Sequence, residues 1–216
     1  MAETADKPVN AAGAEMSLAG YLVPSRLRKA CLMPGMIRQY NVGVSGTMWF
    51  ALIDPAWRPS APEDSPPSSQ MVGGWRLDTE GRPGPFEPNP QYLPANGEGP
   101  TDPIDYGLRM AARGEPVGDQ LIAMVRDSVV EIVCDEQGRP RVGPAPGEAP
   151  CVLVATSPLQ RDQSPLDFHW VRVVGSKLPD IVPSGVDILL NLGGPAPLRL
   201  FTDPLRAGEQ GRTQEP

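Results

Sequence analysis

Residues 151–155 have the sequence Cys-Val-Leu-Val-Ala, which contains no charged side chain. A strand with one face in water alternates between apolar and polar residues, whereas this stretch has no polar face. Such an unbroken apolar run is typical of a strand that lies in the middle of a sheet and is covered on both sides. We therefore predict a sheet with residues 151–155 near its centre.

Apolar runs on either side of this stretch predict the other strands of the sheet. The run from Ser128 to Cys134 is rich in β-branched residues and ends at an Asp-Glu-Gln-Gly turn. Three further strands are expected, at residues 168–174, 186–190 and 198–201. A short helix fits between the first two of these, and it carries Leu178, Ile181 and Val182.

Two helices are predicted after Asp102, where the period of the apolar residues changes from two to about 3.6. Asp102 can cap a helix and Pro103 suits its first position. Asp105 falls where a carboxylate meets free backbone N–H groups, and Gly114 is expected to end the helix. A second short helix follows, with four buried positions: Leu121, Ile122, Met124 and Val125.

The first half of the chain predicts a small β-rich meander. Residues 48–53 form a short aromatic and β-branched run that Asp54-Pro55 stops, as expected of a buried strand. A Pro/Ser-rich loop at residues 59–69 should be mobile and exposed to solvent. Residues 71–77 then lead into a hairpin-type turn at residues 78–81.

Together these elements predict an α+β fold, close to α/β, in which the meander packs with a mixed sheet covered by helices. Four regions are expected along the chain. They are an irregular or disordered extension at residues 1–45, the β-rich segment at residues 46–98, the α/β domain at residues 101–205 and a disordered tail at residues 206–216. Within the extension, a short helix is expected to start near Ser25.

Charge and composition exclude several classes of function. A formal net charge of -7, with no Lys/Arg-rich stripe, argues against nucleic acid as a partner. No apolar window reaches the roughly 18 residues of a transmembrane helix, so no membrane insertion is expected. The acidic N-terminus lacks the pattern of a secretory signal, and we expect a cytoplasmic protein.

Four segments of the chain follow one another at short spacings, at residues 49–57, 72–81, 89–92 and 101–105. Taken together they resemble the type VII secretion system-associated protein family of high-GC Gram-positive bacteria. The second half is similar to the SseB N-terminal domain, in which a strand ends in Thr-Ser-Pro, here residues 156–158, before a short helix. This SseB-like pattern normally continues with a strand that ends in Asn-Pro-Gly, where the chain has Asn191-Leu192-Gly193.

The resemblance implies an accessory protein of a type VII (WXG100-type) secretion system with no established catalytic residues. The expected function is that of a non-enzymatic adaptor or chaperone-like protein, whose protein partner is a secretion-system component or substrate. An immunity-type protein that binds a secreted toxin is an alternative with the same kind of chemistry. A further alternative is a hydrolase or transferase whose site has no recognised motif.

The residues themselves offer little for catalysis. His169 is the only histidine, and it lies in a predicted strand with no nucleophile or carboxylate at a recognised motif spacing. No hydrolase, zinc-protease or nucleotide-binding motif occurs in the sequence. We therefore expect no catalytic residue, no cofactor and no metal site. Turns and helix starts account for the carboxylates of Asp54, Asp78, Asp102 and Asp105.

The three cysteines, Cys31, Cys134 and Cys151, match no zinc or redox spacing. Cys134 and Cys151 flank a predicted turn, so an antiparallel hairpin would place them nearly opposite one another. Two reduced core thiols are the favoured interpretation, because a reducing compartment is expected. A disulfide or redox pair is the alternative.

Aromatic residues beside Asp-Pro and Asn-Pro turns are candidates for protein binding, because such rings are common interface anchors. The candidate residues are Trp49, Asp54, Trp57, Trp75, Asn89 and Tyr92. Trp49 and Trp75 lie inside predicted strands, which favours the core for both, whereas Trp57 and Tyr92 lie at strand ends and fit either role. The hypothesis is that this face, edged by the loop at residues 59–69, contacts a secretion partner. An exposed sheet edge would also allow a homodimer.

Overall fold

The computed structural model describes residues 32–210, apart from residues 35, 43–46, 62–63, 96, 145–148 and 166. Most of the predicted extension, including the helix near Ser25, lies outside the described residues, as do residues 211–216 of the predicted tail. Two sheets organise the described part of the chain, one of four strands and one of six.

The first sheet is an antiparallel meander of four strands in sequence order. Its strands are β1 (Met36–Val42), β2 (Thr47–Ile53), β3 (Met71–Leu77) and β4 (Pro83–Pro88). The predicted meander is thus confirmed from β2 to β4. Strand β1 corrects the prediction, because it falls within residues 1–45, which the sequence predicts to be irregular. Three of its seven residues are strongly polar, so the sequence signal is weak, and pairing with β2 over its whole length defines it.

Close packing of β3 against β4 depends on a glycine. A Cβ placed on Gly73 would lie 2.4 Å from the Glu87 carbonyl oxygen and 2.5 Å from the Phe86 ring. Because one of these neighbours is backbone, a side chain at this position would push the two strands apart. The space lets Phe86 approach Trp75 edge-on, with the ring centroids 5.0 Å apart.

Two helices connect the sheets, α1 (Pro103–Ala112) and α2 (Gly118–Arg126). Asp102 caps α1 as predicted, and its carboxylate accepts from the backbone N–H groups of Ile104 and Asp105. Gly114, with a φ of +83°, follows the end of α1 in a left-handed conformation. The predicted stop of this helix is therefore confirmed.

The strands of the second sheet are β5 (Val129–Cys134), β6 (Val142–Pro144), β7 (Pro150–Ala155), β8 (His169–Val174), β9 (Asp187–Leu190) and β10 (Leu198–Leu200). Their order is β10-β9-β7-β5-β8, and β6 pairs with β7 beside that path. β7 and β9 run parallel, whereas the other neighbours are antiparallel. The predicted mixed sheet, with residues 151–155 near its centre, is confirmed.

Three further helices are α3 (Pro158–Asp162), α4 (Leu178–Ile181) and α5 (Thr202–Gln210). The positions of α3 and α4 agree with the sequence. Helix α5 corrects the disordered tail predicted at residues 206–216, because it continues to Gln210. Its first turn carries Leu205, which is fully buried and anchors the helix to the core. The residues that follow are poor in apolar side chains, which is why the sequence gives no sign of this helix.

The main core lies on the face of the second sheet that α1, α2, α4 and α5 cover. Val152 and Val154 of β7 belong to this core, whereas Cys151 packs against Leu189 on the opposite face. Cys151 and Ala155 are each only 1% exposed. The strand is therefore covered on both sides, as its unbroken apolar sequence predicts.

Two cysteines, Cys134 and Cys151, also lie in the strands of this sheet. Cys151 of β7 lies opposite Gly143 of β6, whereas Cys134 of β5 forms a bridge with Pro140. The prediction that an antiparallel hairpin places Cys134 nearly opposite Cys151 is thus wrong, and the two thiols lie on opposite faces of the sheet. Both are free and buried, which confirms the interpretation as core thiols, and burial raises the pKa of each.

The two sheets meet where β4 lies beside the start of β5. Phe86 forms a parallel bridge with Ser128, and its N–H donates to the Asp127 carbonyl oxygen at 2.8 Å. An ion pair between Arg172 and Glu87, 3.4 Å apart, crosses the same junction. The described chain has an α+β fold, as predicted, and none of its described helices is long and apolar enough to span a bilayer.

Candidate functional site

Polar residues of the second half meet in one buried network at the carboxyl ends of β7 and β9. Seven residues form this network, and all are buried: Thr101, Asp102, Asp105, Thr156, Ser157, Gln160 and Asn191. Because β7 and β9 run parallel, the residues that follow them lie at the same edge of the sheet. The first three members come from the start of α1, which meets that edge.

Asp102 is the centre of the network. Its Oδ1 accepts from the backbone N–H groups of Ile104 and Asp105, at 2.9 and 3.0 Å. Its Oδ2 accepts from the hydroxyls of Thr101 and Thr156, at 2.8 and 2.7 Å. Both carboxylate oxygens are therefore engaged in holding the start of α1 to the end of β7.

Asn191 ties the ends of the two parallel strands together. Its Oδ1 accepts from the Thr156 backbone N–H, and its Nδ2 donates to Thr156 Oγ1, each at 2.9 Å. Asn191 has a φ of +53°, a left-handed conformation that asparagine tolerates better than most residues. The Asn191-Leu192-Gly193 turn, where the chain departs from Asn-Pro-Gly, therefore begins with a residue that serves both the turn and the network.

Thr101, Ser157 and Gln160 complete the network. Thr101 Oγ1 accepts from Ser157 Oγ at 3.0 Å and from Gln160 Nε2 at 3.1 Å, and it donates to Asp102. Ser157 also caps α3, because its Oγ accepts from the Gln160 backbone N–H. The hydroxyls of Thr101 and Thr156 thus donate to Asp102, and that of Ser157 donates to Thr101.

Asp105 has the most strongly perturbed carboxyl in the network. Its Oδ2 accepts from the Thr101 N–H at 3.0 Å and from Arg109 Nε at 3.1 Å, whereas its Oδ1 is buried without a partner. Burial, and after it the charge of Asp102, raises the pKa of Asp105 to about 6, although these two hydrogen bonds oppose the shift. The Asp105 carboxyl therefore titrates at about pH 6.

This arrangement is suited to holding the fold together. A cavity of about 160 Å³ reaches the network only at Thr156 and Ser157, and its other walls include Pro88, Arg161 and Arg172. Across the described ranges, no group of three His, Cys, Asp or Glu residues could hold a metal ion. The geometry supplies hydrogen bonds among seven buried residues, and two of these residues, Asp102 and Asp105, carry carboxyls.

His169 lies outside the network, in an open basin of about 540 Å³. The basin also brings Asp162, Ser164 and Asp167 to the same surface. His169 is exposed, and among the described residues no hydrogen bond joins it to Ser164 or to either carboxylate. Ser164 Oγ is buried, and no described residue forms a hydrogen bond with it. The predicted strand position of His169 is confirmed, and its place in a basin is new.

The aromatic candidates for protein binding divide between core and surface. Trp75 and Tyr92 are 3% and 2% exposed and belong to the core of the four-stranded sheet. The core position is thus confirmed for Trp75, and the structure gives the same position to Tyr92. Trp49 and Trp57 are half-buried, so the core position predicted for Trp49 is not confirmed.

Asp54 and Asn89 have structural partners. Asp54 Oδ2 accepts from the Tyr92 hydroxyl at 2.8 Å, and burial together with this bond raises the pKa of Tyr92. Asn89 Nδ2 donates to the carbonyl oxygens of Ser68 and Met71, at 2.7 and 2.8 Å. Both residues therefore hold chain segments together within the fold.

Asn89 also holds one end of the loop at residues 59–69, most of whose described residues are exposed or half-buried, as predicted. The end of this loop forms a 3-10 turn, Ser68–Gln70, that the Asn89 side chain holds, and Pro66 is buried. Earlier in the loop, Asp64 accepts from the backbone N–H groups of residues 60 and 61. Local hydrogen bonds of this kind are common in turns that contain Asp, Ser and Pro.

Five network members have no predicted role from sequence: Thr101, Thr156, Ser157, Gln160 and Asn191. A signal for two of them exists, because Thr156 and Asn191 come directly after predicted strands. That signal points to a shared edge only when the two strands are known to be parallel neighbours, and the sequence does not show this pairing. Leu93, which is 60% exposed, is a further surface residue that the sequence does not single out.

No protein-family model matches the chain, and comparison with curated proteins and with solved structures found no match either. We therefore describe the class of protein from its fold and its site alone. It is an α+β protein in which a four-stranded meander joins a mixed sheet, with a buried polar network at the carboxyl ends of the parallel strands.

Proposed function

We propose that the chain is a non-enzymatic accessory protein of a type VII secretion system, an adaptor or chaperone-like protein that acts by binding another protein. The ordered segments at residues 49–57, 72–81, 89–92 and 101–105 support this role through their resemblance to the secretion-associated family. One observation carries the non-enzymatic part. The aspartates of these segments and Asn89 form hydrogen bonds within the fold, as Asp54 does with Tyr92, and these bonds give them structural roles.

An apolar end of the four-stranded sheet supports a binding role. The hydrogen bond between Tyr92 and Asp54 joins the two chain segments that continue to Leu93 and Trp57. Leu93 is 60% exposed and Trp57 is partly exposed. We call Trp57 and Leu93 the apolar end. Tryptophan is among the residues that most often dominate the affinity of protein interfaces.

The proposed partner is a component or a substrate of the secretion system, and the proposed place of contact is the cytoplasm. Cys134 and Cys151 support a reducing compartment, since both are free thiols. The formal net charge of -7 supports a protein rather than a nucleic acid as the partner.

Direct binding tests the proposal. The purified chain is titrated against the membrane ATPase and the WXG100-type substrates of the secretion system, and affinity is measured by biolayer interferometry. Trp57→Ala and Leu93→Ala should each weaken binding about ten-fold or more, because truncation of an interface anchor removes about 2 kcal/mol. Phe201→Ala is the matched control, because Phe201 is also 60% exposed but follows β10 in the other sheet. The control should change the affinity less than about two-fold.

Three outcomes would contradict parts of the proposal. Equal effects of all three substitutions would show that the apolar end is not the binding surface. Failure of the wild-type chain to bind any of these proteins would contradict the secretion role itself. Binding to a secreted toxin alone would replace the adaptor by the immunity-type alternative. Thermal unfolding of each variant checks that the fold is intact.

A hydrolase or transferase is the second candidate, and the basin at His169 is the observation that favours it. Ser164 and His169 share this basin, but a serine nucleophile needs its base within hydrogen-bond reach, and the described residues show no such bond. Under our proposal, His169→Ala and Ser164→Ala leave partner binding unchanged. Turnover of ester, peptide or phosphate substrates that both variants abolish would establish the enzyme instead.

A further inference from the structure

One edge of the six-stranded sheet is open in the described structure. β8 pairs with β5 along its whole length, from Val174 opposite Val129 to His169 opposite Cys134. No described strand pairs with the other side of β8. In an antiparallel sheet, the backbone N–H and C=O groups of alternate residues point away from the partner strand, so this edge carries unpaired hydrogen-bonding groups.

The opposite edge of the same sheet differs from β8. β10 has only three residues and leads directly into α5. Its central residue, Arg199, is held in an ion pair with Asp187. Short strands and charged side chains are the usual protection of a sheet edge. β8 has six residues, of which four are valine or tryptophan, and Arg172 is its only fully charged side chain.

The side chains of β8 divide between the two faces of the sheet. Val171 and Val173 pack against the main core on the helix-covered face. Trp170 and Arg172 therefore lie on the other face, because successive side chains alternate. Phe168, just before the strand, lies at the edge of the Trp170 ring with the centroids 6.4 Å apart. The open edge thus presents two rings and one guanidinium on the same face.

We infer that β8 pairs with β8 of a second copy of this chain, antiparallel and with Val171 on the two-fold axis. Such an axis runs perpendicular to the sheet, so side chains of the same face meet across it. With Val171 at the centre, Trp170 of each copy lies opposite Arg172 of the other. Residues 169–173 of each copy pair in this register.

The order of residues along β8 makes this edge complementary to itself. A guanidinium over a tryptophan ring is attractive, and the proposed register forms two such contacts. A register centred on Arg172 would place two like charges directly opposite, which is destabilising. The ion pair of Arg172 with Glu87 is long, at 3.4 Å, and more than half of the arginine side chain stays exposed. The guanidinium is thus accessible to a ring of the second copy.

Sedimentation equilibrium between about 1 and 200 µM tests the inference, because a dimer dissociates on dilution. The wild-type chain should show a reversible dimer in this range. Trp170→Lys places a like charge opposite Arg172 and should weaken the dimer about ten-fold or more, whereas Trp170→Glu places an opposite charge there and should keep the affinity within about three-fold. Both variants lose the same ring, so the difference between them reports charge.

A charge reversal completes the test. Adding Arg172→Glu to Trp170→Lys places lysine opposite glutamate again, and the dimer should return. A wild-type chain that stays monomeric throughout would overturn the inference. Equal dimer affinities for Trp170→Lys and Trp170→Glu would also overturn it, because they would place any association on another surface. None of these outcomes depends on the proposed secretion role.

Discussion

The four-stranded sheet packs four aromatic rings among the seven buried residues of its core: Phe50, Trp75, Phe86 and Tyr92. The main core of the six-stranded sheet has no aromatic ring among its buried described residues, and mostly aliphatic side chains fill it. An aromatic ring buries a large apolar area, so a small sheet can be stabilised by a few of them. The larger sheet instead distributes its burial over many smaller side chains.

Buried polar side chains show the opposite distribution. Among the described residues of the four-stranded sheet, one buried hydrogen bond joins two side chains, from Tyr92 to Asp54. In the other half, seven residues hold the ends of β7, β9 and α1 in a connected network. Loss of one member of a network leaves several buried groups without partners. We therefore expect polar substitutions to lower the stability of the second half far more than that of the first.

Asp102→Ala should give the largest effect. The substitution removes the helix cap of α1 and leaves the hydroxyls of Thr101 and Thr156 without their acceptor. We expect the free energy of unfolding, measured by urea denaturation, to fall by about 3–5 kcal/mol, from a lost cap and buried donors. Asp78→Ala is the control, because Asp78 accepts similar hydrogen bonds in an exposed turn.

The control substitution should lower stability much less than Asp102→Ala. Similar losses of stability for both variants would mean that the network bonds of Asp102 add nothing beyond a local turn or cap. The comparison between the two halves would then fail. If Asp102→Ala lowers both the free energy and the cooperativity of unfolding, the comparison is strengthened, because the two halves then unfold separately.

Tyr92→Phe should give a smaller effect in the first half. The substitution keeps the ring in the core but removes the hydroxyl that donates to Asp54. One buried acceptor loses its partner, so we expect a loss of about 1–2 kcal/mol in the same urea measurement. In a chain that already carries Asp54→Ala, the further loss should be close to zero. A loss as large as that of Asp102→Ala would contradict the idea that ring area stabilises this half.

The fold could be predicted wherever the sequence shows a clear period. The run at residues 151–155 predicts a central strand because its residues are apolar on both faces, and Asp102-Pro103 predicts the start of α1. β1 shows no such period, since polar residues interrupt it, and it becomes a strand through pairing with β2. Tertiary pairing of this kind is decided by the neighbour rather than by local propensity.

The site could be predicted only in part, because its members are far apart in the sequence. Asp102 is recognisable as a cap, but its second role, as acceptor from Thr156, joins residues 54 positions apart. Asn191 and Thr156 meet only because β7 and β9 are parallel neighbours. Tyr92 at a strand end fits a core or a surface position equally well, and its bond to Asp54 decides for the core.

Asp105→Asn should give the smallest effect, and one that depends on pH. In the unfolded chain the Asp105 carboxyl loses its proton near pH 4, whereas in the folded chain burial raises its pKa to about 6. The folded state therefore holds a proton between these values, and the stability that this proton contributes is lost as the pH rises through 6. Between pH 5 and pH 7 the wild-type chain should lose about 1 kcal/mol relative to the Asn variant.

Urea denaturation of both chains at a series of pH values measures this difference. Asp135→Asn is the control, because a hydrogen bond from the Arg139 backbone N–H lowers the pKa of Asp135. Its contribution is present above the unfolded pKa and lost only in more acidic solution, so it should stay constant between pH 5 and pH 7. A difference between wild type and Asp105→Asn that is equally constant would show that Asp105 is ionised throughout. In that case Arg109 and the Thr101 N–H would outweigh burial, and the network would tolerate a second buried charge beside Asp102.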